Sequence, residues 1–210
     1  MALAFAIGAA CFVVAPLGPY RALVGDAADG WTFFVGSLFF TTGGALQSLI
    51  GWGERSVDAA GRAAWNAAWI QSVGTVLFNV NTFRALDADL SGAAYDHLVW
   101  RPDAIGSICF LISGAILFLS SPRLGRWGLR PAEGPVGWWE PAVNLLGCIL
   151  FGVSAVAAYA EPATGELIAA RLSNWTTTLG ALCFLACALA TLRTGHTRKS
   201  AAHARTAAAA

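Results

Sequence analysis

The chain has 210 residues and a formal net charge of +1, with 57% hydrophobic residues, 12% charged residues and a mean hydropathy of +0.60. A soluble domain of this size carries about 25% charged residues. A water-soluble fold is therefore excluded, and no nucleic-acid partner is expected. The charges cluster and leave six stretches nearly free of them: 2–24, 31–52, 64–83, 103–121, 137–160 and 173–192. A helix needs roughly 20 mostly apolar residues to cross the hydrocarbon core. The runs are continuous rather than alternating, which disfavours a transmembrane barrel. The expected class is an all-α integral membrane protein with six transmembrane helices.

The first span lacks the basic region of a secretory signal and is taken as a structural helix. It also lacks the inner tryptophan that precedes the third and fifth spans, so the native start is expected upstream of Met1. The second span opens on "WT" (31–32), as does the sixth (175–176). The third contains "FNVNTF" (78–83), where Asn81 stands at the repeat position that holds the small Ala15 and Ser154 in other spans. The fourth is introduced by "VWRPDAIG" (99–106), where Pro102 suits a first helical position and Asp103 favours the positive helix end. Arg101 is expected to pair with Asp103 or with the acidic loop before it. That loop (Asp87, Asp89, Asp96, His97) is a weak candidate for an external cation site, because it has no recognisable ligand spacing. Glu140 opens the fifth span. Asp103 and Glu140 are both expected at span entrances within reach of water, leaving no ionisable residue in the middle of a span. This argues against a proton relay. The tail after 192 is basic and then Ala-rich. It is expected to be disordered and cytoplasmic, with anionic lipid as a candidate partner beside the bilayer itself.

Orientation follows from Lys and Arg. The connections after spans 1, 3 and 5 hold four, and those after spans 2 and 4 together with the tail hold nine. Basic residues stay cytoplasmic, so both termini are expected inside the plasma membrane. Trp31, Trp100 and Trp175 then mark outer span starts, and Trp52, Trp65, Trp69, Trp127, Trp138 and Trp139 the inner face, where amphipathic rings prefer the headgroups.

One phrase occurs in every span: "IGAACF" (7–12), "VGSLFF" (35–40), "VGTVLF" (73–78), "IGSICF" (105–110), "LGCILF" (146–151) and "LGALCF" (179–184). The Gly–Phe pairs are Gly8/Phe12, Gly36/Phe40, Gly74/Phe78, Gly106/Phe110, Gly147/Phe151 and Gly180/Phe184. Seven and eight residues after each Gly the side chains are again mostly small, on the same helix face. Small residues let helices approach closely in lipid, and a Phe can fill the groove that a neighbour's Gly leaves. Spans 3 and 5 also share Gln71/Asn144 and Val80/Val153. The chain therefore reads as three parallel two-helix hairpins, about 1–53, 54–122 and 123–193. Small-residue stripes serve contacts within and between chains equally well, so a homo-oligomer is compatible with the sequence.

The phrases "FFVGSLFFTTGGALQ", "QSVGTVLFNVNTF", "VWRPDAIGSICFL" and "NLLGCILFGVSAVAAY" resemble an uncharacterised family of actinobacterial integral membrane proteins. The Gly-Ser-x-x-Phe helices are similar to the YrhK-type membrane domain. The resemblance implies a multi-span helical membrane protein and brings no reaction, ligand or catalytic residue.

No phosphate loop, dinucleotide fingerprint, nucleophile elbow or HExxH is present, and the five cysteines lack metal-site spacing. No catalytic residue, cofactor or metal is expected. The leading expectation is a non-enzymatic protein with a packing, assembly or interaction role. The alternative is a facilitator for a small neutral solute, its path lined by Gln71, Asn79, Asn81 and Asn144; interhelical hydrogen bonding is the plainer role for these four.

Overall fold

The computed structural model describes residues 1–55, 58–87, 89–120, 139–161 and 164–208, with side chains described as far as residue 194. The described residues form helices and no strand beyond one isolated bridge, Ala160 to Leu167. In chain order these are α1 (Ala2–Val14), α2 (Gly18–Val24), α3 (Asp26–Glu54), α4 (Ala59–Arg84), α5 (Gly92–Tyr95), a π-helical turn (Asp96–Trp100), α6 (Arg101–Ser120), α7 (Glu140–Ala157) and α8 (Ala170–Ala208). Asp58 caps α4 by accepting from the Gly61 amide at 2.7 Å. Gly25, at φ 84°, makes the left-handed break that separates α2 from α3.

Four segments are long and apolar enough to cross a membrane: Asp26–Gly53, Gly92–Ser120, Glu140–Ala157 and Ala170–Thr194. The first expected span is not one straight helix. It breaks after Val14 and bends by 92° into Gly18–Val24. Pro16 has no amide hydrogen to give the preceding turn, and its ring crowds that turn's carbonyl. Counted as one unit, the bent pair makes a fifth candidate. Alone, the 13 residues of α1 reach only about 20 Å, short of a core about 30 Å thick. α4 is long enough at 26 residues, but Asn66, Gln71, Asn79 and Asn81 dilute its apolarity. The tail expected to be disordered is helical through Ala208, in keeping with alanine's first rank as a helix former. The basic connection at 121–138, with Trp127 and Trp138, lies outside the described residues, as do the side chains of the basic tail.

The six long helices pack in a closed ring, α1 on α3, α3 on α4, α4 on α6, α6 on α7, α7 on α8 and α8 back on α1. Within the ring the repeated phrase has one burial pattern in all six helices. The aliphatic residue before each Gly is exposed on the outer wall, as at Val35 and Ile105. Each Gly and the small residue after it are buried, the next position is exposed again, and the Phe is buried. The helical period thus turns one side of the phrase to the surroundings and the other to the axis.

Each Gly meets the Phe of its partner helix. A Cβ on Gly8 would lie 2.8 Å from the Gly36 carbonyl oxygen and 3.2 Å from the Phe40 ring, and one on Gly36 would lie 3.0 Å from Phe12. The same reciprocal contact occurs between α4 and α6 (Gly74 with Phe110, Gly106 with Phe78). It occurs again between α7 and α8 (Gly147 with Phe184, Gly180 with Phe151). In each pair the later Phe of one helix meets the earlier Gly of the other, so the helices run antiparallel.

Candidate functional site

The six phenylalanines meet on the axis of the ring. Phe12–Phe40, Phe78–Phe110 and Phe151–Phe184 pair within the helix pairs at centroid distances of 5.3, 4.9 and 5.4 Å. Phe151 also contacts Phe12 at 6.0 Å and Phe78 at 5.8 Å, and Phe184 contacts Phe40 at 6.2 Å and Phe110 at 5.9 Å. These rings form an apolar plug that divides the axis into two cavities. Edge-to-face and tilted contacts of this kind suit the ring quadrupoles.

On one side of the plug lies a cavity of about 110 Å³, bounded by Phe40 and Phe184 and lined by Gln47, Gln71, Asn144 and Thr191. Ser113 Oγ donates to Gln71 Oε1 at 3.3 Å, and Asn144 Nδ2 to Cys148 Sγ at 3.9 Å.

The cavity on the other side is larger, about 190 Å³, and more varied. Its floor is Phe12 and Phe151. The π-helical turn carries the helix of α6 back to Gly92, which brings Tyr95, Val99, Trp100 and Asp103 to one face. Single π turns occur often at functional sites. Asp103 is therefore not at the start of its helix, as its place beside Pro102 suggests, although it remains partly exposed. It lies about three turns inside the helix that begins at Gly92, lines this cavity, and accepts from Asn81 Nδ2 at 2.8 Å. Arg101 does not pair with it, because its guanidinium bonds Asp96 at 2.9 Å. Trp100 is half-buried and donates from Nε1 to the Ala155 carbonyl at 2.9 Å, while Tyr95 donates to the Ala158 carbonyl at 3.4 Å. The opposite wall carries hydroxyls. Ser154 Oγ lies 2.6 Å from Thr177 Oγ1 and 3.1 Å from Ser173 Oγ.

Of the four polar residues expected to line one path, Gln71 and Asn144 fall in the smaller cavity and Asn81 in the larger. Asn79 lines neither: its amide donates to Thr41 Oγ1 at 2.9 Å in the α3–α4 seam, and its Oδ1 is buried without a partner. In the acidic loop, Asp87 accepts from the Asp89 amide at 3.1 Å, and Asp96 holds Arg101. Among the described residues no group of three His, Cys, Asp or Glu side chains has a metal-holding arrangement. Tyr95 is the residue that sequence reasoning missed, and Asp103 the one it placed at a helix start rather than in this cavity. The signal that could have found them is their spacing with Val99, four and eight residues apart, which is one helix face.

Taken together, apolar helices of spanning length and a ring with a lipid-compatible outer wall define an all-helical, membrane-embedded protein. No family model, curated protein or solved structure matches the chain.

Proposed function

We propose that this chain is a six-span plasma-membrane protein of three parallel hairpins with both termini cytoplasmic. In this reading it is non-enzymatic and acts as a binding or interaction module, closed at mid-depth and open to a ligand at the outer end of its axis. The observation that carries the reading is the six-phenylalanine plug, which no polar side chain crosses. The basic connections and the Trp distribution support the orientation, which puts the Asp103 cavity outside. The recurrent Gly–Phe contacts support the hairpin repeat and, with it, the likeness to YrhK-type helices. The bilayer is the principal partner. The same small-residue stripes that close the ring also suit a homo-oligomer.

The second reading is a facilitator for a small neutral solute. The facing cavities favour it, since a hydrophobic constriction between wet vestibules can gate by dewetting. Stopped-flow shrinkage of proteoliposomes in urea and in glycerol separates the two. The closed module leaves the rates equal to those of protein-free vesicles. A protein-dependent acceleration for either solute would replace it with the facilitator.

A further inference from the structure

We propose that the larger axial cavity is a binding site for a small monovalent organic cation, a primary ammonium on a short apolar stem, with the Asp103 carboxylate as its counter-ion. The inference rests on the reading of that cavity as the open end of a closed module. An ionisable side chain within a spanning helix is costly and marks a function unless it is paired. Asp103 accepts one hydrogen bond, from Asn81, and among the described residues no Lys, Arg or His forms an ion pair with it. The nearest candidate in sequence, Arg101, is engaged by Asp96.

The walls select the class of cation. Phe12, Phe33, Tyr95, Trp100 and Phe151 border the cavity. The polar atoms of Tyr95 and Trp100 are committed to carbonyls of the α7 end, so their rings are what they offer a ligand. Aromatic faces attract organic ammonium groups and leave room for an apolar stem. A bare metal ion instead demands a close shell of oxygens, and about 190 Å³ is far larger than such a shell needs. An anion would meet the carboxylate, and a neutral solute would bring no charge for it to pair with. Asn81 is a positioning residue here, since its amide occupies one carboxylate oxygen and leaves the other for the ligand.

The test is isothermal titration of the full chain in detergent micelles with propylammonium chloride, with 1-propanol as the neutral analogue and sodium as competitor. The expected result is one saturable site for propylammonium, no saturable heat for propanol, and no displacement by equimolar sodium. Asp103→Asn is expected to weaken binding at least tenfold. Ala85→Leu, which leaves the carboxylate in place and fills the cavity from the end of α4, is expected to do the same if the aspartate variant does not fold. Val76→Ala, on the outer wall, keeps wild-type affinity. Equal binding of propanol, displacement by sodium, absence of a saturable site, or wild-type affinity in both cavity variants would each overturn the proposal. Passage of urea or propylammonium across vesicles would remove the closed-module reading while leaving the site intact.

Discussion

Phe78→Ala is expected to destabilise the bundle by about 2–3 kcal/mol. Phe78 is 1% exposed, packs against the rings of Phe110 and Phe151, and faces Gly106. In a soluble core a Phe→Ala change costs about 3–5 kcal/mol, part of it transfer of the ring to water and part the cavity left behind. In a membrane the unfolded helix keeps its ring among acyl chains, so the transfer part largely disappears. What remains is the cavity, at about 24 cal/mol per Å³ for roughly 100 Å³ emptied. The outer-wall control Val76→Ala should cost less than about 0.5 kcal/mol. Reversible unfolding in mixed micelles checks both; equal stabilities for the two variants would mean that the phenylalanines do not hold the ring.

Gly74→Ala tests the complementary half of the contact. Its Cβ would sit 2.9 Å from the Gly106 carbonyl oxygen and 2.8 Å from Phe110 Cδ1. The ring edge can rotate, but the carbonyl is helix backbone and retreats only if α6 moves. Overpacking of this kind costs about 1–3 kcal/mol, opposed by a helix-propensity gain of about 1 kcal/mol for Gly→Ala. The expected outcome is a net loss of stability with weakened α4–α6 association. Gly152→Ala meets only the end of Leu111, at 3.1 Å, and Gly18→Ala meets nothing within 4 Å. Neither should lose stability. Thermal denaturation of the three variants side by side decides the matter, and a Gly74→Ala protein as stable as Gly18→Ala would discard the close approach.

The repeated phrase made the packing legible in the sequence because its chemistry and its period coincide. An aliphatic residue, a Gly, a small residue and a Phe four positions after the Gly can all be satisfied only with one side to lipid and the other to a neighbour. The same reasoning could not place Asn79 and Asn81 together. Residues two apart on a helix point about 200° apart, so one faces α3 and the other the axis. Asp103 was hidden for a different reason. The motif before it resembles a helix start, and only the extension of the helix to Gly92 moves the carboxylate inward. The bend after Val14 was legible in Pro16 and Pro19, but hydropathy averaged over 2–24 concealed it.

The account stands on a ring closed by α1 against α8, where Thr178 Oγ1 lies 3.4 Å from the Val13 carbonyl. The direct measurement is thiol crosslinking in native membranes, with the five native cysteines replaced by alanine. The Val13→Cys/Thr178→Cys pair is expected to crosslink on oxidation or with a short bis-thiol reagent, whereas the Val76→Cys/Thr178→Cys pair is not. Failure of the first pair under both reagents, or crosslinking of the second, would contradict the closed ring and with it the plug at its centre.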